Sequence, residues 1–219
     1  MILEIEALNF AYAEEKILKN INLSVQKGKL ITLIGPNGSG KSTLLKCINN
    51  YLKPERGKIK IKNKELKEYG KKELARITAY VPQAAENNFN INVFETILMG
   101  RKAHSSWKPE SKDKKITAEV ISRLGLEDIA FKNINNLSGG QRQKVFIARA
   151  AAQQAELILL DEPTNNLDLK HQLEIFNLIR KEVKNGKTAI VTMHDLSLVS
   201  RFSDRIIMLK NGRVFSDGN

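Results

Sequence analysis

Leu30-Ile31-Thr32-Leu33-Ile34 runs directly into Gly35-Pro36-Asn37-Gly38-Ser39-Gly40-Lys41-Ser42-Thr43. The apolar run reads as a strand buried on both faces, as strands of a parallel sheet are. The segment after it matches G-x-x-x-x-G-K-[ST], and Leu44, Leu45 and Ile48 supply the apolar face of a helix that follows. Strand, glycine-rich loop and helix together make a phosphate cradle. The glycines let successive backbone N–H groups turn inward toward phosphate oxygens. The helix aims its positive N-terminal end at the same anion. In such a cradle Lys41 reaches the β- and γ-phosphates of a nucleoside triphosphate, and the Ser42 hydroxyl ligates Mg²⁺. The positions expected to hold the nucleotide are Gly35, Pro36, Asn37, Gly38, Ser39, Gly40, Lys41, Ser42 and Thr43. The loop alone does not separate kinases, GTPases and ATPases.

Outward from this loop, residues 77–81, 157–160 and 189–192 are further apolar runs that read as strands buried on both faces. Residues 2–7 and 57–62 alternate apolar and polar, as half-buried antiparallel strands do. Asn211-Gly212, between residues 206–209 and 214–215, is a hairpin signal. Ile116, Val120, Ile121 and Leu124 mark a helical face stopped at Gly125. Leu173, Phe176, Ile179 and Val183 mark another, which stops before Asn185-Gly186. Residues from about 86 to 154 are mostly helical in pattern and lie between buried strands. They read as a helical insertion in an α/β core.

Leu157-Ile158-Leu159-Leu160 ends in Asp161-Glu162. Paired acids at a strand's carboxyl end stand where open α/β sheets bind ligands. On their own they read equally well as a solvated turn. Beside a phosphate cradle, Asp161 suits Mg²⁺, through water, and Glu162 suits the attacking water, which it would orient and deprotonate.

The totals narrow the class. With 219 residues, 42% hydrophobic and 27% charged, the chain can bury a full core and is not disordered in composition. No apolar run nears the roughly 20 residues that span a bilayer, and the first six residues carry acids where an export signal carries bases. Cys47 is the single cysteine, which fits a reducing compartment. The expectation is a cytoplasmic protein. Net charge is +12, densest over Lys58, Lys60, Lys62, Lys64, Lys67, Lys71 and Lys72. With few aromatics among them, these lysines read as a solvated face rather than a nucleic-acid surface.

Leu137-Ser138-Gly139-Gly140-Gln141 adds a second constellation. Ser138 and Gln141 fit an S-x-x-Q capping box that opens a helix, with Val145, Ala148 and Ala152 along one side. The bare glycines leave N–H groups free for a second anion. With the phosphate loop and Asp161-Glu162 in this order, the chain resembles the nucleotide-binding subunit of ATP-binding-cassette (ABC) transporters over essentially its whole length. The resemblance implies a P-loop NTPase (RecA-like) α/β core with an antiparallel β subdomain and an inserted α-helical subdomain. In one ABC domain spanning 1–219, residues 1–86 and 155–219 would form the core and 87–154 the insertion. It implies ATP hydrolysis in a head-to-tail homodimer, in which Ser138, Gly139, Gly140 and Gln141 of one copy close over ATP held by the other. Matched one at a time, Tyr12 takes the place of the adenine-stacking aromatic and Gln83 that of the glutamine touching Mg²⁺ and the attacking water. Asp168, in Asn166-Leu167-Asp168, fits the loop that crosses the dimer interface, and His194 fits the histidine that contacts the γ-phosphate. His104 and His171 match nothing and are expected as surface residues.

Within the family, Val93-Phe94-Glu95-Thr96-Ile97-Leu98-Met99-Gly100-Arg101 followed by Trp107, and Asp161 onward through Leu169-Lys170-His171-Gln172, look like the importer ATPases for iron(III)-siderophore, haem and cobalamin. That likeness implies integral membrane permease subunits docking on about 86–102, with Phe89 and Arg101 at the surface. It also implies a substrate-binding protein in the full importer and a place on the cytoplasmic face of the membrane. Family members commonly continue past the position of Gly218-Asn219, so a further C-terminal piece is expected. Two rivals stay open at this point. One is a soluble ABC ATPase of iron–sulfur assembly or nucleic-acid work. The other is a small-molecule kinase, which has no use for residues 137–141.

Overall fold

The computed structural model describes the chain except residues 84–89, 106–107, 195 and 219, and at 196 and 197 the backbone alone. Two sheets organise it. The smaller is antiparallel, in the order β2 (Glu15–Val25), β1 (Leu3–Tyr12), β4 (Arg56–Ile61), β5 (Lys64–Glu65). The larger runs β10 (Arg213–Gly218), β9 (Arg205–Lys210), β3 (Leu30–Ile34), β8 (Thr188–Thr192), β7 (Leu157–Leu160), β6 (Thr78–Val81). All pairs in it are parallel except the β9–β10 hairpin. Its helices are α1 (Lys41–Ile48), α2 (Lys71–Ile77), α3 (Val93–Leu98), α4 (Ser111–Leu124), α5 (Gly139–Ala152), α6 (Leu169–Lys184) and α7 (Leu196–Phe202).

The two-residue period of a strand divides the interior between the two faces of the large sheet. Ile31, Leu33, Leu157, Leu159, Ile190, Ile207 and Leu209 face a core shared with the small sheet and with Leu44, Leu45 and Ile48 of α1. Leu30, Ile34, Ile158, Leu160, Ala189 and Val191 face a second core filled by α3, α4, α5 and α6. The helical stretch has no core of its own; it is packed onto the sheet.

Strand β2 was not among the sequence expectations, because its apolar rhythm is broken. Leu18 and Ile21 are both buried, three residues apart, and the step is taken at Asn20, whose φ is 54°. A matching break in β1 lies between Ile5 and Leu8, at Ala7 with φ 47°. Such bulges re-aim the side chains and defeat a strict period-two reading. Helix α4 stops as expected, at Gly125 with φ 67°.

Five of the seven lysines in the run pair with acids while keeping their side chains partly or largely exposed. Lys58 and Lys67 meet Glu65, Lys60 meets Glu6, Lys62 meets Glu156 and Lys64 meets Glu73, at 2.6–3.3 Å. Arg101 corrects the docking expectation. It is 3% exposed, and its guanidinium donates to Asp113 Oδ1 at 3.0 Å, the Ala152 carbonyl at 2.8 Å and Gln154 Oε1 at 2.9 Å. A side chain so enclosed joins α4 to the end of α5 and offers nothing to a partner. Phe89 and Trp107 lie outside the described residues.

Candidate active site

The carboxyl ends of β3, β7, β8 and β6 deliver the phosphate loop, Asp161-Glu162, Thr192 to His194, and Gln83 to one region, as parallel sheets do. The loop leaves β3 at Gly35 with φ 146° and enters α1 at Gly40 with φ 101°. A side chain at Gly35 would stand 2.1 Å from the Leu209 carbonyl oxygen, and at Gly40 the positive φ itself disfavours one. Gly40 provides no side-chain cap to α1, which leaves first-turn N–H groups facing the loop. Ser39 Oγ is buried and lacks a hydrogen-bond partner among the described residues. Leaving such a group unsatisfied costs about 1–3 kcal/mol, a cost an anion's oxygen would remove. Residues 37–43, Ile17 and Glu162 enclose a cavity of about 180 Å³.

Lys41 Nζ donates to the carbonyls of Gly35, at 2.9 Å, and Pro36, at 3.2 Å. Burial pushes this ammonium below its ordinary range, and the carboxylates of Glu162 and Asp161 pull it partly back. Ser42 Oγ donates to Asp161 Oδ1 at 2.8 Å. The Thr192 hydroxyl also donates to Oδ1, at 2.9 Å, and the Tyr80 hydroxyl to Oδ2, at 3.1 Å. Burial first, then the charge of Asp161, pushes the Tyr80 phenol above its usual value, so it stays a donor.

Glu162 is held at every point. Its φ of 46° is the left-handed region, and its N–H donates to Thr192 Oγ1 at 2.7 Å. Gln83 Nε2 donates to Oε2 at 2.8 Å, Asn165 Nδ2 to the same oxygen at 3.3 Å, and His194 Nε2 meets Oε1. A carboxylate positioned this way can take a proton from water without first reorganising. Sequence reasoning missed Tyr80, Asn165 and Thr192. Only a polar residue closing an apolar strand, at Thr192, could have pointed to one of them.

Ser138 caps α5 as expected. Its Oγ accepts from the Gln141 N–H at 3.2 Å, and its own N–H donates to Gln141 Oε1 at 3.1 Å. None of Ser138, Gly139, Gly140 and Gln141 lines the cradle of the same chain. Gly139 instead lines a neighbouring cleft of about 340 Å³ that includes Gln83 and shares Glu162 with the cradle. Tyr12 ends β1 as a 45% exposed residue with its ring edge-on to Phe10 at 4.8 Å, and Ile17 rather than Tyr12 lines the cradle. Asp168 caps α6, accepting from the His171 N–H at 2.8 Å. The two histidines expected at the surface are both engaged. His104 Nε2 meets the Gln153 carbonyl at 2.8 Å, and His171 Nδ1 meets Asp168 Oδ1 at 2.7 Å.

The sequence model of the ABC transporter family matches residues 18–165. The chain belongs to the ABC transporter family. An uncharacterized ABC transporter ATP-binding protein of Methanocaldococcus jannaschii is 49% identical over 100% of this chain and 86% of its own length. The iron(3+)-hydroxamate import ATP-binding protein of Bacillus subtilis is 40% identical over 99% of this chain and 81% of its own. Among solved structures, a dimeric ATP-binding cassette in a post-hydrolysis state with ADP and Pi superposes with a TM-score of 0.85 at 32% identity, covering 99% of this chain and 98% of that one. This chain is thus an ABC ATPase, and the kinase reading falls. No helix among its described residues is long and apolar enough to cross a membrane.

Proposed function

We propose that this ABC ATPase energises an importer of iron chelates, hydrolysing ATP in a dimer of two copies docked on integral membrane subunits. The observation that carries the reading is Glu162, gripped by Gln83, Asn165, Thr192 and His194 on the wall of the phosphate cradle. Residues 35–43 take the triphosphate, Lys41 exchanging loop carbonyls for phosphate oxygens. The ring of Tyr12 stacks on the base. Glu162 accepts the proton of the attacking water, Gln83 orients that water and Glu162 together, and His194 meets the terminal phosphate.

The donor set suits Mg²⁺. The Ser42 hydroxyl and Asp161 carboxylate are hard oxygen ligands 2.8 Å apart, and Mg²⁺ is commonly held by one or two such groups plus substrate phosphates and waters. Ser42 would ligate it directly, Asp161 through water, and Gln83 through its amide oxygen. Held there, the ion would supply charge neutralisation for the triphosphate.

A second copy supplies Ser138, Gly139, Gly140 and Gln141 over the triphosphate, and its Asp168 loop crosses the interface. The B. subtilis relative's name supports iron chelates as cargo, handled by a permease and a substrate-binding protein; haem and cobalamin are the kindred alternatives. For docking, the Phe94–Phe131 pair, ring centroids 6.4 Å apart with Phe131 83% exposed, is what the segment after residue 90 presents to a membrane subunit. The test is copurification with an integral membrane subunit, with ATPase measured alone and in the complex. Hydrolysis that neither depends on nor responds to any membrane partner overturns the transport reading.

A further inference from the structure

His171 has no role assigned to it in the nucleotide site, yet it is the side chain on which Gly140 and Asp168 meet. Its backbone N–H and its Nδ1–H both donate to Oδ1 of Asp168, at 2.8 and 2.7 Å. The backbone bond first, then the imidazole bond, hold the Asp168 carboxyl below its usual range. The backbone bond holds that oxygen in place, and the imidazole bond to it orients the ring. The ring so oriented lies against the bare backbone of Gly140: a Cβ there would stand 2.7 Å from Cδ2 and 3.0 Å from Cγ of His171. Gly139, one residue earlier, is different. Its Cβ would meet only Leu167 Cδ2, at an ordinary 3.8 Å. Leu167 is itself tied to α6, because Gln172 Nε2 donates to its carbonyl at 3.0 Å.

We infer that His171 is a positioning residue: it sets the N-terminal end of α5 against the loop of residues 165–168, and Gly140 is glycine because the imidazole fills its side-chain space. The two glycines then have separate reasons. Gly139 is bare with room to spare, as suits an approach from outside the chain, whereas Gly140 is bare for a contact within it. Helix α5 carries the N–H groups that close over the partner copy's nucleotide, and a misplacement of about 1 Å in such a group can cost 10²-fold in rate. His171 thus links the height of that helix end to the loop that carries Asp168. The inference rests on the nucleotide-sandwich reading above, but its central contact does not.

The test is a double-mutant cycle over Gly140→Ala and His171→Ala, read by thermal unfolding and by ATPase kinetics. Unfolding reads the contact whether or not the sandwich is right. Gly140→Ala should lower Tm in the native background and do so much less in the His171→Ala background, where the added methyl has space. In ATPase assays His171→Ala should lower kcat by about 10-fold with KM for ATP within about 2-fold, since the cradle is untouched. His171→Asn should restore kcat to within about 3-fold of the native enzyme, because its amide can place a donor near Nδ1 and heavy atoms near Cγ and Cδ2. Equal cost of Gly140→Ala in both backgrounds overturns the contact. Unchanged kcat in His171→Ala, or the same loss in His171→Asn, overturns the positioning role. A native protein that hydrolyses ATP only as a monomer sinks the sandwich instead, while the unfolding cycle still reads the contact.

Discussion

Glu162 and Lys41 stand on one cavity wall but carry different loads, and substitution should separate them. Removing the carboxylate's charge at Glu162 takes away proton acceptance and little else, because Gln keeps the shape and an acceptor for Gln83 and Asn165. Glu162→Gln should lower kcat by about 10²–10⁴-fold while Mg²⁺–ATP still binds, measured by calorimetry beside steady-state turnover. Lys41→Ala removes the one buried ammonium aimed at the loop, and nucleotide affinity itself should fall. Comparable turnover in Glu162→Gln and the native enzyme removes Glu162 from the base role. Both residues were legible in the sequence, because each sits beside its strand in a motif whose chemistry dictates the residue type. The clamp around Glu162 was legible only in part. Asn165 reaches Glu162 from three residues further along the same loop, whereas Thr192 and Tyr80 are ordinary residues whose value comes from strands 78–81, 157–160 and 188–192 lying side by side, a long-range fact that no local spacing encodes.

The joint between α4 and α5 shows where likeness misleads. Arg101 was expected at a docking surface through the family likeness, which places the contact with the membrane subunits on about 86–102. What the spacing could not show is that Asp113 opens α4 as its buried partner, with Ser105 and the Glu110 N–H on the same carboxylate. Burial alone would raise the Asp113 carboxyl, but the Ser105 hydroxyl, the Glu110 N–H and the Arg101 guanidinium hold it down at about 2. Arg101→Ala therefore strands a buried carboxylate and should destabilise the protein by about 3–5 kcal/mol, read as loss of denaturant midpoint at unchanged m-value. The sign with pH follows. A depressed carboxyl lends its stability above the ordinary carboxylate range and loses it as pH falls through about 2. The variant's deficit should accordingly narrow as pH is lowered from roughly 5 toward 3. If Arg101→Ala unfolds like the native protein yet uncouples transport, the residue is a docking contact after all. The same kind of long-range cause hid β2, whose bulge at Asn20 answers the one at Ala7 across the sheet.

Within one chain the capped end of α5 is not part of the cradle, whose lining includes Lys41 and none of residues 138–141. Of this arrangement the sequence offered the two glycine-bearing segments as local motifs and, through the resemblance, their pairing, which no spacing within one chain encodes. Mixing two defective proteins gives the decisive measurement. In a symmetric sandwich, a homodimer of Lys41→Ala has two ruined cradles, and a homodimer of Ser138→Arg has two blocked helix ends. Their heterodimer pairs the intact cradle of the Ser138→Arg copy with the intact helix end of the Lys41→Ala copy, leaving one sound site. Random association of equal amounts makes half the dimers mixed, so the mixture should recover about a quarter of native ATPase activity if the two sites fire independently, although each protein alone is nearly inactive. Forced coupling between sites would lower that figure without abolishing it. A mixture no more active than the mean of its two components places the helix end and the cradle on the same chain's nucleotide, or on none.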